Sequence, residues 1–221
     1  MYEKYGQFID GKWHKSSTGE TYEVINPANE EIIGKASKAS PEDVDKALLS
    51  AQKGLEVWKK TPPWQRAYIL RRIADKMREK QDILAKWMTL EVGKPFAEAK
   101  GEVNGAADIY EWNAEETKRI YGQTVESRFE DTRVHVYYQP VGVVAALVPW
   151  NFPLVLSARK ISTALAAGCS VIVKPDVITP GVVMEQVEIC RECGVPPGVV
   201  NLLSGDPPCL LYTSPSPRDI R

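Results

Sequence analysis

Between Val141 and Leu203, apolar runs and helical patterns alternate in a fixed order: "VGVVAALVP", "PLVLSARKISTALAAG", "SVIVKP", "TPGVVMEQVEICRECG" and "VVNLL". This succession of strand, helix, strand, helix, strand constrains the fold more than any other feature. Runs so uniformly apolar belong to strands buried on both faces, as in a parallel sheet covered by helices. Gly168 and Gly194 end the two helices, and Thr179-Pro180 caps and opens the second. The expected architecture is α/β, with this segment forming half of a doubly wound, Rossmann-like parallel sheet. Such a sheet takes ligands beyond the carboxyl ends of its strands. Those ends are Pro149 to Phe152 and Lys174 to Val177.

The residues before Val141 read differently. "QFIDGKW" and "TYEVINPANEEIIGKAS" form a short β arm with turns at Asp10-Gly11 and Pro27-Ala28-Asn29. Ser40-Pro41-Glu42-Asp43 supplies an N-cap, a proline and an acid three residues after the cap, and Val44, Ala47, Leu48, Ala51, Leu55 and Trp58 keep helical spacing behind it. A second helix starts at Thr61-Pro62-Pro63, carries Ala67, Leu70, Ile73, Ala74 and Met77 on one side, and ends near Gly93-Lys94-Pro95. A third runs from about Ala97 to Lys118, with Tyr110 and Trp112 as packing residues. "QTVES" and "RVHVYYQP", joined by "RFED", predict a hairpin that projects from the core. His14 and His135 stand alone and read as structural. The expected division is a helical region with hairpin over 1–140, the first half of a nucleotide-binding domain over 141–207, and a non-native, disordered tail over 208–221. In that last stretch Pro208, Pro215 and Pro217 deny the next helix.

Twenty-eight basic against 29 acidic residues give a net charge of -1 with no long block of one sign, so neither nucleic acid nor an acidic membrane face is an expected partner. The N-terminal "MYEKYGQFIDGKW" is charged where a signal peptide needs an apolar core, and no apolar run approaches the roughly 20 residues of a membrane span. A cytoplasmic location is expected. Of Cys169, Cys190, Cys193 and Cys209, only Cys190 and Cys193 are close; they are either a redox or metal half-site or two small apolar residues one helical turn apart. Without a second pair to complete a site, the apolar reading is preferred, and no metal is expected.

The first turn after a strand lacks G-x-G-x-x-G, and G-x-x-x-x-G-K-[ST] occurs nowhere, so a bound nucleotide must be gripped without either phosphate loop. What stands there instead is "VPWNFP", with one amide side chain, Asn151, between two aromatics and two prolines. "VPWNFP", "ALAAGCSVIVKP", "TPG" and "GVPPGVVNLLSG", in that order, resemble the aldehyde dehydrogenase superfamily, and "FIDGKW", "NPA" and "LEVGKP" extend the likeness towards the N-terminus. The resemblance implies oxidation of an aldehyde to a carboxylic acid with NAD or NADP, by way of a cysteine thiolate and a glutamate-activated water.

By the same resemblance Asn151 is the oxyanion-hole donor; its alternative is a plain helix N-cap. Lys174 matches the lysine that hydrogen-bonds the adenosine ribose. Pro175, Asp176 and Val177 follow it, with Val177 where a glutamate often takes the ribose 2′-hydroxyl, which leaves NAD preference open. Val148, Pro149 and Trp150 match the segment on the nicotinamide side. Arg159, eight residues after Asn151, matches an arginine of the succinate-semialdehyde dehydrogenases that grips the substrate carboxylate; its alternative is an exposed helix charge. "YEWNAEETKRIYG" also resembles that subgroup. The nucleophile segment and the E-L-G-G-K general-base segment have no match, and "LEVGKP" imitates the latter from the end of a helix. The chain therefore reads as an N-terminal fragment, inactive by itself, of an enzyme that is a homodimer or homotetramer. A non-catalytic nucleotide-binding or interaction protein, or a general aldehyde dehydrogenase, are the competing readings.

Overall fold

Three parallel strands, β7 (Val143–Leu147), β8 (Ser170–Lys174) and β9 (Val200–Leu202), alternate with α5 (Pro153–Ala166) and α6 (Pro180–Glu192) in a computed structural model that describes residues 2–205. Pairing runs in register from Val143 opposite Ser170 to Leu147 opposite Lys174, and from Val171 opposite Val200 to Val173 opposite Leu202. β8 and β9 are buried along their whole length, as their apolar sequences require. β7 departs from the expectation. Ala145 and Leu147, which share one face of this edge strand, are exposed, whereas Ala146 on the other face is buried. Gly168 and Gly194, at φ +85° and +91°, end α5 and α6 as read from the sequence.

The N-terminal arm contributes more than the sequence suggests. β1 (Gln7–Ile9) and β2 (Lys12–His14) form a hairpin that joins the main sheet antiparallel to β9, with Phe8 opposite Leu202. The sheet order is therefore β2-β1-β9-β8-β7. β3 (Thr21–Ile25) and β4 (Ile32–Ser37) make a separate ribbon.

α1 (Pro41–Trp58) starts in the expected capping box. The Ser40 side chain accepts from the Asp43 N–H, and the Asp43 carboxylate accepts from the Ser40 N–H. Gly54 sits mid-helix, where glycine costs about 1 kcal/mol relative to alanine. It is there because a Cβ at this position would lie 2.2 Å from the backbone carbon of Gly198.

The single helix expected from Thr61 to Gly93 is two, α2 (Pro63–Glu79) and α3 (Gln81–Val92). They break at Lys80, whose ammonium is drawn to Glu185 at 3.1 Å and Glu192 at 3.0 Å on α6. α4 (Phe96–Thr117) buries Ala99, Val103, Ala106, Ala107, Tyr110 and Ala114. Tyr110 packs as expected, but Trp112 is 69% exposed because it lies off that face. The hairpin of β5 (Gln123–Glu126) and β6 (Arg133–Val136) projects, with every residue of β5 exposed. The segment from Asp206 onward, with Cys209, lies outside the described residues. No helix among the described residues is long and apolar enough to cross a membrane.

Candidate active site

The carboxyl ends of β7 and β8 are tied together: the N–H of Val148 donates to the carbonyl of Lys174 at 2.9 Å. The chain leaves both strands at the same end of the sheet. Val148, Pro149 and Trp150 follow one, with Val148 buried and the other two exposed. After β8, whose last residue Lys174 is buried, come a buried Pro175 and half-buried Asp176 and Val177. The Asp176 carboxylate accepts the N–H of Ile178 at 3.1 Å, which shapes this turn.

Asn151 is exposed in the turn before α5. It is not the N-cap. That position belongs to Phe152, and no side chain there bonds the helix. The partner comes from α4: Glu102 Oε1 accepts the N–H of Leu154 at 3.1 Å and of Val155 at 3.2 Å. Its other oxygen pairs with Lys94 Nζ, and the two side chains are only 2% and 9% exposed. Lys94 Nζ also donates to the Asn151 carbonyl at 3.4 Å and stands 4.0 Å from the centre of the Phe152 ring.

Around these groups opens a cleft of about 530 Å³, within the usual range for a small-molecule site. Asn151, Phe152 and Arg159 line one wall, and Lys94, Glu98 and Glu102 another. Two residues singled out in the sequence, Asn151 and Arg159, both exposed, thus line one cavity, whereas Val148, Pro149, Trp150 and the Lys174–Val177 turn are not among its lining.

α6 repeats the device. Thr179 makes no capping bond. Instead Glu91, on α3, accepts the N–H of Gly181 at 2.6 Å and of Val182 at 3.1 Å, and the Tyr2 hydroxyl donates to the same carboxylate. Only glycine allows this approach, since a Cβ on Gly181 would lie 2.4 Å from the Trp87 ring. Burial pushes Glu91 up to about 7, against the opposing pull of its three donors. Helix N-termini are natural phosphate sites. Here protein carboxylates already occupy both, in keeping with the missing phosphate loops, and neither α5 nor α6 is open to a pyrophosphate.

None of the three described cysteines is exposed. Burial pushes the Cys190 thiol up to about 12, and among the described residues no group of three or more His, Cys, Asp or Glu could hold a metal ion. Sequence reasoning missed Lys94, Glu102 and Glu91. The signal was present for the glutamates: Glu102 shares helical spacing with Ala99, Val103 and Ala106, and Glu91 with Leu84, Trp87 and Met88, so each carboxylate sits on a core-facing stripe. Lys94 was visible in "LEVGKP", but only the fold brings it to Asn151.

Residues 13–210 match the model of the aldehyde dehydrogenase family. A glutarate-semialdehyde dehydrogenase of Pseudomonas aeruginosa is 44% identical over 198 residues, which are 90% of this chain and 41% of that protein. The NADP-dependent succinate-semialdehyde dehydrogenase of Escherichia coli is 44% identical over 197 residues, 89% of this chain and 41% of its own length. The chain thus spans about two fifths of the relatives it matches. A crystal structure described as an E. coli NADP-dependent enzyme superposes with a TM-score of 0.91 at 42% identity, covering 93% of this chain and 43% of that one. A betaine aldehyde dehydrogenase of Staphylococcus aureus in complex with NAD+ gives 0.89 at 35% identity, covering 91% and 42%. The chain belongs to the aldehyde dehydrogenase family.

Proposed function

We propose that this chain forms part of an NAD(P)-dependent enzyme that oxidises a short semialdehyde to the dicarboxylate. The observation that carries the reading is one cleft lined by both an amide donor, Asn151, and a guanidinium, Arg159. Asn151 would donate to the aldehyde oxygen as it gains negative charge, which lowers the barrier where a donor is fixed in advance. Arg159 would hold the far carboxylate, for which a planar, permanently charged fork is the best match. Relatives named for glutarate and succinate semialdehydes support the same substrate class. The thiolate and general base would come from residues outside those described here.

The sheet end fits the adenosine-ribose part of a dinucleotide: Lys174 offers a cation and Asp176 an acceptor beside the end of β7. The pyrophosphate would have to be held elsewhere, since Glu91 and Glu102 fill the helix N-termini. When bound, the nicotinamide supplies the hydride acceptor. Val177 adds no second carboxylate to that of Asp176, so a 2′-phosphate would meet less repulsion than beside a glutamate at this position, and NADP should be accepted at least as well as by glutamate-bearing relatives. The projecting β5–β6 hairpin, with exposed Val125, Val134, Tyr137 and Tyr138, suits a contact between copies in a dimer or tetramer.

The test is a chimera in which residues 2–205 replace the matching segment of the E. coli succinate-semialdehyde dehydrogenase. Asn151→Ala should lower its kcat by about 10²- to 10³-fold. A kcat within about threefold of the parent would remove Asn151 from the chemistry.

A further inference from the structure

We propose that Lys94 and Glu102 are positioning residues that lock the Asn151 turn, an inference that rests on the reading of Asn151 given above. Three observations converge on it. The first free N–H groups of α5, on Leu154 and Val155, both end on Glu102 Oε1. The other oxygen of Glu102 is paired with Lys94, and Lys94 bonds the carbonyl of Asn151 itself at 3.4 Å. The Lys94 ammonium also lies 4.0 Å from the centre of the Phe152 ring, on the residue between those two anchor points.

The backbone that follows the Asn151 Cα is therefore held at two places, the Asn151 carbonyl and the first turn of α5, by one ion pair brought from α4 and from the loop before it. Without the pair, Asn151 would be an exposed side chain on a free loop. A donor for a developing negative charge is effective only if its direction is set before the charge forms. A displacement of about 1 Å can cost about 100-fold in rate.

The burial of the pair points the same way. A buried ion pair is seldom more stabilising than two apolar residues of similar size, so its presence calls for a role other than stability. Its place beside the cleft gives that role. Lys94 and Glu102 line the same cavity as Asn151, and Lys94 bonds the turn rather than only its partner. Neither residue need touch the reacting atoms; each acts through the backbone of residues 151–155.

The experiment compares Glu102→Gln, Lys94→Met and Lys94→Arg with Asn151→Ala, singly and combined, in the chimera described above. Glu102→Gln and Lys94→Met should each lower kcat about 10-fold, with KM for aldehyde and cofactor changed less than about threefold. Lys94→Arg, which keeps the cation, should recover most of that loss. In the Asn151→Ala background, Glu102→Gln should cause no further fall, because residues that act as one unit are not additive.

A further fall of about 10-fold in that background would overturn the proposal while leaving Asn151 in its role. So would an unchanged kcat in the Glu102 and Lys94 variants when Asn151→Ala is impaired. An unimpaired Asn151→Ala would instead overturn the reading of Asn151.

Hydrogen exchange on the 221-residue chain tests the lock separately. Glu102→Ala, which removes both the acceptor of these N–H groups and the partner of Lys94, should speed exchange at Leu154 and Val155 by at least about 10-fold, with Tyr110 in mid-α4 unchanged. Equal protection of Leu154 and Val155 in both proteins would refute the lock even if the chimera failed to assemble.

Discussion

Replacing Glu91 by glutamine should remove a pH dependence of stability that this one carboxyl imposes. Glu91 is fully buried between Trp87, Tyr2 and the start of α6, and its proton affinity rises from an ordinary 4.5 to about 7. Because the folded value lies above the unfolded one, the fold binds this proton more tightly than the unfolded chain does. The associated stability is fully present below about pH 4.5, declines across the interval, and is lost above about pH 7. Each tenfold change in proton affinity is worth about 1.4 kcal/mol, so the rise corresponds to about 3 kcal/mol.

Asp43, Glu185 and Glu188 shift the other way. Their hydrogen bonds and, for Glu185 and Glu188, ion pairs hold them low against burial, so they lose stability only as pH falls below their ordinary range. Glu91→Gln leaves those groups in place and keeps a carbonyl oxygen for the Gly181 N–H. Urea titrations followed by tryptophan fluorescence, at intervals from about pH 5 to about pH 8, give the difference in unfolding free energy between the two proteins. That difference should move by about 2 to 3 kcal/mol against the parent as pH rises. Parallel stability curves would refute the assignment.

Two further outcomes follow from single side chains. In the chimera, Val177→Glu should lower the ratio of kcat/KM for NADP over NAD by about 10-fold or more, because a carboxylate there would repel the 2′-phosphate; an unchanged ratio would show that position 177 does not face the ribose. Gly54→Ala, normally stabilising in a helix, should instead destabilise by about 1 to 3 kcal/mol in urea titrations, because the new Cβ meets the backbone of Gly198 at 2.2 Å. A gain in stability would mean that α1 can move away freely.

The parallel strands, their helices and the projecting hairpin were legible because their signals are local: apolar runs, helical spacing, turn residues. The Ser40–Asp43 capping box is the clearest case, since its whole chemistry lies within four residues. What escaped was set by contacts far apart in sequence. α2 and α3 part at Lys80, whose partners Glu185 and Glu192 on α6 lie more than a hundred residues away. β1 finds its place beside β9 only once the sheet exists. Thr179 has the right residue type for a cap, yet Glu91 takes the helix end because Gly181 lets α3 come close. The same holds at the cleft. "VPWNFP" drew attention to Asn151, but the residues that hold its turn, Lys94 and Glu102, lie some 50 positions earlier.

The semialdehyde reading rests on Arg159, and one substitution tests it. Eight residues of α5 and its approach span roughly 12 Å of rise, within which an arginine side chain can reach back towards a cavity that begins at Asn151. A charge-assisted hydrogen bond to a carboxylate contributes about 1.5 to 3 kcal/mol, so Arg159→Ala in the chimera should lower kcat/KM for succinate semialdehyde about 10- to 100-fold. Butanal, which has no carboxylate, should lose less than about threefold. Equal losses for the two aldehydes would contradict the account and make Arg159 a residue of the fold in an enzyme for aldehydes in general.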